Sequence, residues 1–151
     1  MGFFQRLREG GTTADYQALL ERIPYARFLG ITLDTIGEQG LVIRLVFDRR
    51  LIGNPHLPAI HGGVIGAFLE FAAILELVHQ GEGEALPKPI DLTIDYLRSA
   101  KPDDVLARAI ITKHGRRVAN VRVEAWQGTP DRLVAAAHGH FLMPSGGDHA
   151  E

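Results

Sequence analysis

Cysteine is absent from the chain, and this absence excludes several kinds of chemistry at once. A protein without thiols has no disulfide framework, no thiolate metal site and no cysteine nucleophile. Serine is scarce as well, because Ser99 and Ser145 are its only copies and neither stands in a nucleophile-elbow context. A catalytic group must therefore come from another residue type, and a reducing setting is natural for such a chain.

An excess of charge of one sign is also lacking. The 16 basic and 18 acidic residues give a formal net charge of −2 and are interspersed along the chain, so there is no basic footprint for nucleic acid. Near the start, only Phe3 and Phe4 form an apolar patch, and Arg6 stands where a myristoylation signal needs Ser or Thr. We therefore expect a soluble, cytoplasmic protein that binds neither nucleic acid nor a membrane.

The length of 151 residues is enough for one domain with a substantial core. Residues 1–11 end in two glycines, and residues 145–151 are small and polar. We predict a single domain with a folded core at about 12–144 and a loose tail at each end. Thr12 or Thr13 can cap a first, amphipathic helix that covers the core.

Strand patterns dominate much of the remaining sequence. Apolar and polar residues alternate in a way that predicts a β-hairpin at 31–36 and 41–48. The second half predicts four more strands, at 90–99, 104–112, 117–127 and 132–142. The short turns between these four favour an antiparallel meander.

Between the two groups of strands lies one long apolar segment, residues 62–80, which ends at Gly81. Apolar residues cover nearly its whole circumference, which indicates a buried helix. Its length would also suit a membrane span, but Glu70, Glu76 and the surrounding strands favour a core helix. A lone apolar helix must be enclosed, so the order of elements predicts an α+β domain in which a curved antiparallel sheet wraps around the helix. This arrangement is the hotdog fold.

Candidate catalytic groups occur both at the start and in the middle of this helix. At its start, Gly62 and Gly63 leave backbone N–H groups open at the positive end of the helix dipole, where an oxyanion would be stabilised. Alternatively, the glycines only permit a tight entry that His61 caps. In the middle, burial would raise the pKa of Glu70 toward the range of a general base. The alternative for Glu70 is a solvent-facing position or a structural hydrogen bond, which we favour for Glu76.

The spacing of these groups constrains any shared site. Gly62 and Glu70 are eight residues apart, which corresponds to about 12 Å along a helix. They cannot flank one carbonyl group within a single chain. If both act in one site, Glu70 must come from a second copy across a two-fold axis, so the hypothesis predicts a homodimer with two composite sites, possibly as part of a dimer of dimers.

The segment HGGVIGAFLE resembles the helix motif of PaaI-like hotdog thioesterases, in which the acidic position is usually Asp and sometimes Glu. The similarity extends to the segments IDLTIDYLRSAKPDD and GRRVANVRVEAW. It implies hydrolysis of small to medium acyl- or aryl-CoA thioesters without a cofactor. It further implies that Glu70 is the general base or nucleophile and that the N–H groups of Gly62 and Gly63 hold the oxyanion. His61 would then position the loop or the thioester, and Asn54 the water or the substrate.

The resemblance also suggests where the CoA part of the substrate binds. Arg116 and Arg117, beside Gly115, and Arg98 are candidates for contacts with its phosphates. No metal is expected, because the pair His138 and His140 has no third convergent ligand in the sequence pattern.

Two other functions remain open for the same fold. A hydroxyacyl thioester dehydratase or enoyl hydratase would use a His and an acidic residue, and His56 stands fourteen residues before Glu70. Those enzymes carry Pro-Gly at the helix entry, where this chain has His61 and Gly62. A non-catalytic binder of acyl thioesters is the second alternative, although a carboxylate inside an apolar tunnel suits binding poorly. We favour hydrolysis.

Overall fold

The protein consists of helices packed on a large antiparallel sheet. A computed structural model describes residues 2–144, so the loose tail predicted at 145–151 lies outside the described residues. In chain order, the elements are α1 (Phe3–Gly10), α2 (Thr13–Glu21), α3 (Pro24–Leu29), β1 (Ile31–Gly37), β2 (Gly40–Leu45), β3 (Ile52–Asn54), β4 (Ala59–Ile60), α4 (Gly62–Gln80), β5 (Lys88–Tyr96), β6 (Val105–His114), β7 (Val118–Trp126) and β8 (Leu133–Leu142). A short 3-10 turn, Arg49–Leu51, precedes β3.

Helix α4 lies at the centre of the hydrophobic core. It packs against β2, β5, β6, β7 and β8, and Phe68, Leu69 and Leu77 are fully buried along it. The helix is long and apolar enough to cross a membrane, but here its apolar side chains form the core of the fold. Strands β6 and β7 pack small and branched side chains against it at alternate positions. The predicted hotdog arrangement, a sheet wrapped around one buried helix, is confirmed.

The order of strands corrects the predicted meander. The six-stranded sheet has the order β1-β2-β6-β7-β8-β5, and every neighbouring pair is antiparallel. Strand β5 therefore pairs with β8 and not with its sequence neighbour β6. The connection over residues 97–104 is long enough to carry the chain from β5 past β8 and β7 to β6. Its Pro102 turn therefore does not close a hairpin between β5 and β6. As a result β5 is an edge strand.

The amino-terminal segment corrects the predicted loose tail. Residues Phe3–Gly10 form α1, and Leu7 is buried in the core. Glu84 accepts hydrogen bonds from the N–H groups of Phe4 and Gln5, both at 3.0 Å. Arg8 donates to the carbonyl of Gly83 at 3.1 Å. These long-range contacts order a segment whose local sequence carries little pattern.

The covering helix begins as the sequence predicts. Thr12 caps α2, and together with Asp15 it forms a reciprocal capping box. Tyr16, Leu19 and Leu20 bury the inner face of α2. Pro24 occupies the first turn of a separate helix, α3, where its missing N–H costs nothing.

Candidate active site at the start of the core helix

The turn that enters α4 is held by His61. The imidazole Nδ1 accepts a hydrogen bond from Gly63 N–H at 2.8 Å, which makes His61 the amino-terminal cap of the helix. Its carbonyl accepts from Val64 and Ile65, and its own N–H donates to Leu51 at 2.8 Å. The capping role that the sequence left open for His61 is therefore confirmed. Gly63, which was expected to help hold an oxyanion, has its N–H engaged by the His61 imidazole in this structure.

Gly62 keeps an open N–H in the same turn. Among residues 2–144, no group accepts a hydrogen bond from this N–H, although the N–H groups of its neighbours His61 and Gly63 both have acceptors. The donor stands at the positive end of a 19-residue helix, where it would stabilise negative charge. The turn thus presents one free backbone donor.

This donor borders a cavity of about 580 Å³. The cavity has a mixed lining, with apolar side chains such as Ile60, Ile65 and Val134 together with polar residues. Four residues predicted for the site line it: Asn54, His61, Gly62 and Arg98. The structure therefore brings the oxyanion candidate together with three of the other seven predicted site residues.

Asn54 and Arg98 also make structural contacts. The Asn54 side-chain carbonyl accepts from the N–H groups of His56 and Leu57, at 3.0 and 3.3 Å, and so holds the loop before β4. Arg98 donates to the carbonyl of Leu133 at 2.9 Å. His56, the candidate for dehydration chemistry, has an exposed side chain that does not line the cavity.

Glu70 lies two turns further along α4, outside the lining of this cavity. The helix is unbroken between Gly62 and Glu70, so the two remain about 12 Å apart within one chain. Burial raises the pKa of the Glu70 carboxyl above its ordinary value. No hydrogen bond or ion pair of this carboxyl occurs within the described part of the chain, so the hydrogen-bond alternative for Glu70 gains no support, and the residue is partly exposed to solvent.

The two remaining arginines lie at the far end of the sheet. Arg116 and Arg117 form the turn between β6 and β7, and the Arg117 carbonyl accepts from Met143 at 2.8 Å. That turn lies beside Leu142, which pairs with Lys88, at the end of β5 opposite to Tyr96. Within one chain, the structure does not bring them to the cavity.

Tyr96 is a residue of the site that the sequence analysis missed. Its hydroxyl donates to the carbonyl of Gly62 at 2.8 Å, and its side chain lines the cavity. The available signal was the pair Gly62 and Gly66, four positions apart on one face of α4. A Cβ atom added to Gly66 would lie 2.9 Å from Ile94 and 3.6 Å from the Tyr96 hydroxyl. Strand β5 can therefore pack this closely on α4 only because the helix has glycine at this position.

Comparisons with known proteins identify thioesterases as relatives of this chain. The Thioesterase superfamily matches residues 57–134, from the loop before α4 into β8. The medium/long-chain acyl-CoA thioesterase YigI of Escherichia coli K12 is 30% identical over 115 residues, covering 68% of this chain and 74% of the relative.

Two solved structures extend the match over nearly the whole chain. A protein from Chromobacterium violaceum is 35% identical, with a TM-score of 0.74, over 93% of this chain and 96% of that one. A phenylacetic acid degradation-related protein from Ralstonia eutropha JMP134 is 25% identical with the same TM-score, 0.74, over 94% of this chain and 100% of that one.

Proposed function

This chain belongs to the thioesterase superfamily and hydrolyses acyl-CoA thioesters, and we propose that it does so as a homodimer with two active sites, each shared between subunits. The observation that carries the proposal is the separation of Gly62 and Glu70 along one unbroken helix. Each has the character that hydrolysis needs, a free donor and a carboxylate of raised pKa, but one chain cannot bring both to the same carbonyl.

The edge strand β5 supports the dimer. It is bonded to β8 on one side, and no strand of residues 2–144 pairs with its other side. Ile90 and Tyr96 on β5 and Leu97 after it are more than half exposed, which is unusual for a long edge strand of a monomer. Pairing with β5 of a second copy would continue the sheet across a two-fold axis and cover these side chains. The two copies of α4 would then run in opposite directions.

In such a dimer, Glu70 of the partner subunit would approach the cavity at Gly62. Glu70 would take a proton from a water molecule, whose oxygen attacks the thioester carbonyl carbon. The Gly62 N–H would donate to the oxygen that becomes negatively charged. When the carbon–sulfur bond breaks, the thiolate of CoA would recover the proton from Glu70, and the free acid would leave. Direct attack by Glu70 on the carbonyl is the other role left open for it.

The two-fold axis would also bring the three arginine candidates to the same end of the continuous sheet. It would exchange the ends of β5, so the turn between β6 and β7 of the partner subunit would lie at the same end of the continuous sheet as the cavity. Arg116 and Arg117 of the partner subunit, with Arg98, remain our candidates for the CoA phosphates. For the acyl group we propose medium chains, where the expected range overlaps the medium/long-chain activity of the Escherichia coli relative.

The proposal is tested by measuring free-thiol release from short, medium, long and aryl acyl-CoAs. Glu70→Gln keeps the shape of the side chain but removes the base, so we expect hydrolysis to fall by about 10²- to 10⁴-fold. His56→Ala is the matched control, because His56 lies outside the cavity and should not affect the rate. Equal rates in wild type and Glu70→Gln, or a loss confined to His56→Ala, would contradict the proposal.

A further inference from the structure

The hydroxyl of Tyr96 bonds to a carbonyl that the helix already uses. Gly62 lies in the first turn of α4, where its carbonyl accepts the N–H four residues later, and Tyr96 adds a second donor at 2.8 Å. The Tyr96 side chain is 56% exposed. A single hydrogen bond between neutral groups makes only a modest net contribution to folding. Its position at the cavity suggests another purpose.

This contact fixes one end of a single peptide unit. The Gly62–Gly63 peptide is planar, with the Gly62 carbonyl at one end and the Gly63 N–H at the other. Tyr96 holds the carbonyl, and the imidazole of His61 holds the N–H at 2.8 Å. The preceding peptide is fixed as well, because the His61 carbonyl accepts from Val64 and Ile65. The free Gly62 N–H belongs to this preceding peptide unit, so both its own unit and the one that follows are held in place.

The glycines of the helix provide room for this arrangement. A Cβ atom at Gly62 would lie 3.3 Å from the Tyr96 ring, and one at Gly66 would lie 3.6 Å from its hydroxyl. The ring therefore packs closely on the first turn of α4, and the hydroxyl completes the contact. Phenylalanine would keep the ring and remove only the hydrogen bond.

We infer that Tyr96 is a positioning residue for thioester hydrolysis, one that works with His61 to hold the Gly62 N–H in place for the oxyanion. This inference rests on the proposed function of Gly62 as the oxyanion donor. A donor that is fixed before reaction stabilises the transition state without a cost of reorganisation. Loss of the Tyr96 hydroxyl should therefore lower kcat and leave substrate binding nearly unchanged.

The test compares Tyr96→Phe with Tyr25→Phe, a control at another exposed tyrosine whose hydroxyl has no hydrogen bond within residues 2–144. We expect kcat of Tyr96→Phe to fall by about 5- to 50-fold, part of the loss seen when an oxyanion donor is removed altogether. We expect KM to stay within about two-fold of wild type, and the control to behave as wild type. An unchanged kcat in Tyr96→Phe would overturn the inference.

Amide hydrogen exchange at Gly63, measured by NMR, gives a second readout that needs no activity. Tyr96→Phe should make exchange of the Gly63 amide several-fold faster, because the peptide unit loses one of the three hydrogen bonds that hold it, those to Tyr96, to His61 and to the helix backbone. Unchanged exchange would overturn the inference even if kcat fell. If the wild-type protein released no thiol, the proposed function would fail, whereas the exchange measurement would still decide whether Tyr96 holds this peptide.

Discussion

Glu76 should prove essential for the stability of the helix that carries Glu70. Its side chain is 0% exposed, and it is the buried charged residue of the described chain. One carboxylate oxygen accepts from Leu41 N–H at 2.8 Å, and the other accepts from the Gln80 side chain. The carboxylate also fills the space next to Gly40, where a Cβ atom would lie 2.3 Å from it. Glu76 thus joins the last turns of α4 to the start of β2.

The cost of losing this carboxylate follows from these contacts. In Glu76→Ala, the buried Leu41 N–H would have no acceptor, which costs about 1–3 kcal/mol. Lost packing of one buried methylene adds about 0.8 kcal/mol, so we expect a total of about 2–4 kcal/mol. Glu76→Gln should cost less, because its remaining carbonyl oxygen can still accept one of the two hydrogen bonds. For a chain of this size, the alanine variant should melt lower by about 4–16 °C.

Urea denaturation followed by tryptophan fluorescence measures these costs directly, because Trp126 is the single tryptophan and is buried. Glu38→Ala is the matched control, since Glu38 is an exposed glutamate in the turn between β1 and β2. It should change the free energy of unfolding by no more than about 0.5 kcal/mol. A wild-type unfolding curve for Glu76→Ala, or an equal loss in the control, would refute the reasoning.

Two further predictions concern the site. The fold raises the pKa of Glu70 above its ordinary 4.5, so the folded state binds the carboxyl proton more tightly than the unfolded state does. The free energy of unfolding should therefore fall as the pH rises through the window between 4.5 and the raised pKa of the folded state. Glu70→Gln should therefore be more stable than wild type at neutral pH, with no difference below the window; the reverse order in urea titrations would contradict this. Replacing Arg116 and Arg117 with Gln should raise KM for acyl-CoA but not for acyl-pantetheine, which lacks the nucleotide phosphates; equal effects on both substrates would exclude phosphate contacts.

The sequence predicted best the features that depend on neighbouring residues. Helix α4 has the predicted bounds, residues 62–80, because its start and end are marked by local signals at His61 and Gly81. The hairpin of β1 and β2 follows from alternation and from its glycine turn. The partial burial of Glu70 follows from its apolar neighbours on the helix.

The features that the sequence did not predict depend on distant contacts. Strand β5 pairs with β8 because residues 97–104 cross the sheet, and no local pattern distinguishes such a crossover from a hairpin. Helix α1 is ordered by Glu84, about eighty positions away. The contact of Tyr96 with Gly62 depends on how closely β5 approaches α4.

The central claim is that each active site combines Gly62 of one subunit with Glu70 of the other. Two variants remove one group each: Glu70→Ala, and Gly62→Pro, which deletes the N–H. The backbone at this position suits proline, because Gly62 is the first residue of α4 and the preceding His61 has the extended angles φ −58° and ψ 131° that precede proline. The exposed Tyr96 ring, 3.3 Å from an added Cβ atom, must shift by a few tenths of an ångström.

The most direct measurement is thiol release by a mixture of the two inactive variants after subunit exchange, with hybrid dimers confirmed by native mass spectrometry. Each hybrid would contain one complete site and one site that lacks both groups. An equal mixture should therefore recover about a quarter of the wild-type activity, since half of the dimers are hybrids with one working site of two. Activity that stays at the level of the separate variants, with hybrids present, would contradict the shared site.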